Sequence, residues 1–442
     1  MLISSPSVPS PHQGHARMIP AGMMWPFILV TALFFLWGLP NNLNDVLIRQ
    51  FMKSFALSRF QAGLVQSAFY LGYFLLATPA ALLMRRFGYK FGFVVGLVLF
   101  GAGALLFWPA ALAQRYGFFL GALFVIASGL SFLETASNPY VAQLGDPASA
   151  AQRLNFAQAF NPLGAISGVL IGTIFIFSGI ELKPAQIAAM KAAGTYAPYL
   201  RHETMRVVAP YLVIAGIAFL WAILIAGTKF PKIMSEHEGA GGDHGSYRQL
   251  FRQPRFLFAV LAQFMYVGAQ VGTWSYFIQY VQESTHQPEK VAGFFLTGTL
   301  AAFGVGRFSS AAIMRYVRPD QLMAVYALVN MALLAVGILW PGWIGLWAVF
   351  LTSFFMSVMY PTIFALGLEG LGPNTKIGGS MIVMAIVGGA VLTPVMGLIS
   401  QQWHSVSRAY LVPLAAYAIV ALFSFAAQRL LPHPPGSTQG AH

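Results

Sequence analysis

Twelve long apolar runs, parted by short polar breaks, set the pattern of this chain. They lie near 26–48, 61–84, 91–112, 118–142, 154–178, 208–228, 257–281, 291–314, 321–340, 344–367, 377–400 and 409–430. About 20 apolar residues in a helix cross the hydrocarbon of a bilayer, so each run predicts a membrane-spanning helix, span 1 to span 12. The longest polar stretch contains EHEGAGGDHGS and cuts the spans into two sets of six. The predicted organisation is a disordered tail at 1–24, a six-helix bundle at 25–228, a cytoplasmic linker at 229–256, a second bundle at 257–430 and a tail at 431–442.

The two sets read as a repeat. LLMRRFGYK after span 2 and AIMRYVRPD after span 8 occupy matching places about 230 residues apart, and the same offset lays FILVTALFFLWG onto the start of span 7. Two six-helix bundles related by a pseudo-two-fold axis, with a polar site between them, form a transporter design in which one bundle rocks against the other. The predicted class is therefore an all-α membrane protein of 12 transmembrane helices.

Composition agrees, with 57% hydrophobic and only 8% charged residues, far from the balance of a soluble domain. The net charge of +13 does not point to nucleic acid, because the basic residues sit in short clusters between apolar runs, as they do where a chain meets lipid. With the N-terminus inside, 14 basic residues fall on the cytoplasmic side and 10 outside, Arg307 set apart, which predicts cytoplasmic termini. Residues 1–24 lack the charged start, short apolar stretch and small-residue cleavage site of a signal peptide. The chain has no cysteine, which excludes disulfides and thiolate metal sites.

Of twelve acidic residues, only Asp45 (LPNNLNDVLI) and Glu134 (SGLSFLETASNPYV) fall inside the apolar runs. A charged carboxylate at mid-bilayer costs roughly 2.5–3.5 kcal/mol on insertion scales, so such a residue faces a wet cavity and binds a proton or a solute. The other reading is a structural charge pair, for which Arg307 is the basic residue deep in a span. Amides gather near both acids. Asn41 and Asn42 precede Asp45 by four and three, Asn138 follows Glu134 by four, and Asn155, Gln158 and Asn161 step by three along one stripe, with Gln66 in span 2. Amides and carboxylates grip sugar hydroxyls through directional donors and acceptors, although single amides also pin membrane helices together. The second half offers Gln263, Gln270, Trp274, Tyr276 and Tyr360 and no carboxylate within its spans; aromatic rings stack on the apolar face of a pyranose, although singly these read more readily as core or interface-belt residues.

The absences narrow the class. All nine histidines fall outside the predicted spans, no lysine lies within one, and no GxxxxGK[ST] phosphate loop occurs. No metal site, organic cofactor or enzyme constellation is offered, so the energy comes from a gradient, and the two carboxylates, able to take up and release a proton, make the proton the expected coupling ion. One proton moving down roughly 150 mV releases about 3.4 kcal/mol, enough for a sugar gradient of roughly 300-fold. A membrane sugar sensor without transport is the rival reading from another class.

The stretches FFLWGLPNNLNDVLIRQF, FQAGLVQSAFYLGYF, SFLETASNPYVAQLG, RLNFAQAFNPLGAI, LAQFMYVGAQVGTWSYFIQY and MSVMYPTIFALGLEGLG resemble the fucose–proton symporter branch of the major facilitator superfamily, over about residues 27–425. The resemblance implies the major facilitator fold, import of L-fucose or a related hexose with a proton, and a multi-pass protein of the cell inner membrane acting as a monomer. It assigns proton coupling and sugar binding to Asp45 and Glu134, and further sugar contacts to Asn42, Gln158, Asn161 and Tyr360. One departure is Arg85–Arg86, where the wider superfamily carries an acid before an arginine. Relatives of this branch also carry glucose or galactose, so a glucose/galactose–proton symporter is the alternative.

Overall fold

The computed structural model describes residue 19 and residues 22–145, 150–230, 247–314, 316–371 and 374–430. Most of the predicted N-terminal tail, residues 231–246 of the linker, the C-terminal tail and Arg315 lie outside the described residues, as does the side chain of Arg85.

Twelve helices are long and apolar enough to cross a membrane: Met24–Ser54, Arg59–Met84, Tyr89–Ala113, Tyr116–Val141, Phe156–Ile176, Tyr196–Gly227, Pro254–Ser275, Glu289–Ser310, Pro319–Leu339, Trp343–Leu368, Gly378–Gln402 and Val406–Ala427. They are spans 1 to 12 of an all-α fold. The first four are joined by residues 55–58, 85–88 and 114–115, too few for a helix to return along itself, so successive spans run antiparallel. The end of the bundle where span 1 begins is called the near end, and the end where it finishes the far end. Span 2 starts with a reciprocal cap, in which Ser58 Oγ accepts from the Gln61 amide at 3.2 Å and Gln61 Oε1 accepts from the Ser58 amide at 3.0 Å.

The repeat is exact in its opening. Spans 1, 2 and 3 start at 24, 59 and 89, and spans 7, 8 and 9 at 254, 289 and 319, each 230 later. Packing repeats too. A Cβ on Gly164 of span 5 would fall 2.1 Å from the Phe35 carbonyl of span 1, and one on Gly388 of span 11 would fall 1.9 Å from the Phe264 carbonyl of span 7. Spans 1 and 5, and their counterparts 7 and 11, thus meet backbone to backbone, which only small residues allow.

Three expectations shift at helix ends. Span 1 runs six residues past the predicted 48, bringing Arg49 and Lys53 onto the helix, so a lysine does lie on a span. Hydropathy alone placed span 6 at 208–228, but the span opens with the helix Tyr196–Met205, so His202 and Glu203 lie on it, and a further helix, Pro184–Ala192, precedes it. Span 7 breaks at Tyr276, and a separate helix, Phe277–Thr285, continues at the far end.

Candidate functional site

The two acids stand at different depths. Asp45 is nine residues short of Ser54, about 14 Å from the far end at 1.5 Å per residue. Glu134 and Arg307 are each eighteen residues from the far-end starts of their spans, about 27 Å, and Tyr360 is seventeen, about 26 Å.

Asp45 is only 2% exposed. Its Oδ1 accepts from Gln66 Nε2 and from Ser275 Oγ, both at 2.8 Å, and its Oδ2 accepts from Asn42 Nδ2 at 3.2 Å. Gln66 also donates to Ser275 Oγ at 2.9 Å, closing a ring of three side chains from spans 1, 2 and 7. Asn42 belongs to this cluster as its spacing predicted, whereas Asn41 Oδ1 is buried without a hydrogen-bond partner among the described residues.

Glu134 is half-buried at the other level, as is Asn138. Asn138 donates to the Glu134 carbonyl at 3.2 Å and accepts from Gln158 Nε2 at 3.1 Å. Gln158 is exposed, while half-buried Asn161 is tied to the Phe34 carbonyl at 3.3 Å. The side chain of Asn155 lies outside the described residues. From the second half, Tyr360 is half-buried with its ring edge-on to Tyr266 at 6.4 Å. Arg307 itself is exposed and stands over the Phe303 ring at 5.1 Å; among the described residues no ion pair joins it to Asp45 or Glu134. A polar stripe bridges the two levels. Gln66, Tyr70 and Tyr73 sit at i, i+4 and i+7 on span 2.

Two aromatics of the second half are core rather than cavity wall. Trp274 is buried and donates to Ser353 Oγ at 3.0 Å, and Tyr276 is buried with its hydroxyl on the Arg59 carbonyl at 2.7 Å. Gln263 is buried with neither amide atom partnered among the described residues.

The far end is shut by bonds between halves. Arg59 Nη2 meets Glu283 at 2.7 Å and Arg59 Nη1 meets Ser400 Oγ at 2.7 Å. Ser67 Oγ donates to the Ala390 carbonyl at 2.6 Å. The Gln282 amide donates to Glu181. Lys53 bridges Glu203 of its own half at 3.2 Å and Glu289 of the other at 3.0 Å. Glu289, wholly buried, also accepts from the Gly179 amide at 3.1 Å, and its own amide donates to Glu181 at 2.9 Å. Among the described side chains, every hydrogen bond between halves comes from this half of the bundle depth or from the Asp45 ring. Sequence reasoning passed over Ser275, Lys53, Glu203 and Glu289; the spacing of Tyr70 and Tyr73 from Gln66 was the one signal it left unused.

Comparison with known proteins places this geometry. The Major Facilitator Superfamily matches residues 22–386. An L-fucose-proton symporter of Escherichia coli is 44% identical over 405 residues, covering 90% of this chain and 92% of that protein. A glucose/galactose transporter of Brucella abortus is 36% identical over 407 residues, covering 89% and 92%. Among solved structures, the transporter FucP in the outward conformation matches with a TM-score of 0.67 at 42% identity, over 91% of this chain and 98% of that one. A bacterial homolog of the lysosomal transporter Spinster shares the fold, with a TM-score of 0.72 at 14% identity over 93% and 99%.

Proposed function

The chain belongs to the Major Facilitator Superfamily, and we propose that it is a proton-coupled symporter that imports L-fucose, or a closely related hexose, by alternating access. The observation that carries this reading is the unequal access of two membrane-embedded acids. Asp45 is enclosed by a ring that spans both halves, while Glu134 stays reachable beside amides of spans 4 and 5 and a tyrosine of span 10.

In this reading Asp45 and Glu134 carry the proton. Asn42, Gln158, Asn161, Tyr360 and the two acids contact the sugar, whose hydroxyls find donors on the amides and acceptors on the carboxylates. Tyr360 supplies a ring face from the opposite half. The bundles are 25–228 and 257–430, the termini face the cytoplasm, and the far end faces the exterior. The protein works as a monomer in the inner membrane of a bacterial cell, with no cofactor beyond the proton. The structure is then inward-facing, a state supported by a TM-score of only 0.67 to an outward structure at 42% identity, since rocking two bundles displaces atoms that sequence leaves alike.

A second reading, glucose/galactose–proton symport, is favoured by the relative of that name at 36% identity. Counterflow in proteoliposomes separates the two. Vesicles loaded with unlabelled L-fucose should draw in labelled L-fucose, and external L-fucose should compete better than glucose or galactose. Stronger competition by glucose or galactose would replace the substrate. No counterflow with any hexose would favour a sensor.

A further inference from the structure

Ser275 is the one side chain of the second half that reaches Asp45 among the described residues, and it does so just before span 7 breaks at Tyr276. We propose that Ser275 is the positioning residue that ties the proton on Asp45 to closure of the far end; this rests on the proton-coupled reading above.

The ring has the parts such a link requires. Two donors to Asp45, Asn42 and Gln66, come from its own half and stay with it when the halves part. The third, Ser275, leaves with the other half. Within the closed ring Gln66 Oε1 is buried and has no hydrogen-bond partner among the described residues, so an acceptor stands ready for one more proton. Ser275 Oγ can also turn from donor to acceptor, because a hydroxyl rotates to suit its neighbours. The ring can therefore hold Asp45 as a neutral acid without opening.

The surroundings decide which form closure favours. The far-end cations of spans 1 and 2 are committed elsewhere: Arg49 to Glu181 and Glu289, Lys53 to Glu203 and Glu289, and Arg59 to Glu283. The other titratable residues of the elements around span 1 include Tyr70 and Tyr73 on span 2, Glu134, Tyr116 and Tyr140 on span 4, and Tyr266, Tyr276 and Tyr280 on and after span 7, while span 5 carries none. The cations Arg153, just before span 5, and Arg255, at the start of span 7, stand at the near end, away from Asp45. A charged Asp45 in the closed ring would face neutral donors alone, and a buried charge without a counter-ion is costly, whereas opening the far end admits water. Closure thus favours the proton, whereas the bond that crosses between halves, donated by Ser275, steadies the charged form and lets Asp45 give its proton up inside the closed ring.

Ser275→Ala keeps the packing volume nearly unchanged and removes this bond, and Ser275→Thr keeps the hydroxyl. Purified variants in proteoliposomes are assayed for L-fucose exchange, for accumulation under an imposed pH gradient, and for medium alkalinisation per sugar entering. Ser275→Ala should keep exchange within about three-fold, while accumulation and the proton-to-sugar ratio fall by roughly ten-fold, the scale of one hydrogen bond to a charged group. Ser275→Thr should restore both. An unchanged ratio in Ser275→Ala, with wild-type alkalinisation present, would overturn this inference alone. Exchange and accumulation falling in equal proportion, without rescue by threonine, would make Ser275 a packing residue and overturn it as well. A wild type that accumulates sugar without alkalinisation would remove proton coupling itself, and this link with it.

Discussion

Glu289→Gln should loosen the far end. Glu289 is wholly buried and takes Lys53 Nζ at 3.0 Å across the halves, while Lys53 keeps Glu203 of its own half at 3.2 Å. Removing one partner of a buried pair costs about 3–5 kcal/mol when the other charge is left alone. Here Lys53 retains Glu203 and glutamine retains a neutral acceptor, so the loss is nearer one charge-assisted hydrogen bond, about 1.5–3 kcal/mol. That shifts the balance toward the far-end-open state by roughly 10- to 150-fold. The chain has no cysteine, so Ser67→Cys supplies a sole thiol at a position that bonds Ala390 across the halves. Its labelling by a membrane-impermeant maleimide from the far side should quicken at least about ten-fold in the Glu289→Gln background. Glu203→Gln is the control, because it neutralises an equally buried partner of the same lysine yet leaves the bond between halves intact. It should quicken labelling far less. Equal acceleration by both variants, or none by Glu289→Gln, would refute the reasoning that the cross-half pair holds this end shut.

Three further outcomes are expected. Glu134→Gln mimics the protonated acid, so L-fucose exchange should persist while accumulation driven by a pH gradient fails; loss of both in a transport assay would mean the charge itself holds the sugar or the fold. Asn161→Ala should weaken binding by about 0.5–1.5 kcal/mol, roughly 2- to 13-fold, for sugars that keep one particular hydroxyl, and Tyr360→Ala should weaken every sugar while Tyr360→Phe loses only the hydroxyl's share; calorimetry across deoxy-sugar analogues checks both. Gly164→Ala would set a Cβ 2.1 Å from the Phe35 carbonyl, and no flexible side chain is there to yield, so a marked fall in thermal unfolding temperature in detergent is expected, against little change for Gly216→Ala, whose Cβ meets nothing within 4 Å.

How much was legible in the sequence follows from what each signal depends on. Hydropathy located twelve spans because the lipid solvent acts on each segment separately. Asp45 and Glu134 stood out for the same reason, since an acid in an apolar run is conspicuous without knowing its neighbours. The 230-residue offset was visible in two basic turns and reappears in the starts of three pairs of spans. Helix ends were less legible: Lys53 and Glu203 sit in stretches whose composition reads as connector, although both lie on helices.

Tertiary structure alone decided which polar groups meet. Asn42 was within reach of Asp45 by helical spacing, but Ser275 is 230 residues away in the chain, and nothing local marks it among the other serines. Glu203 and Glu289 look like ordinary surface acids until Lys53, from another span, joins them in the interior, because a buried charge is tolerable only with a partner that folding delivers. Trp274 and Tyr276 read singly as core more readily than as sugar wall, and only the fold gave their partners: Trp274 bonds Ser353 within its own half, while Tyr276 joins the far-end seal through Arg59. Depth was likewise invisible in composition: two acids of one type lie about 13 Å apart along the bundle axis, one enclosed and one reachable, because the halves touch at one end and not at the other.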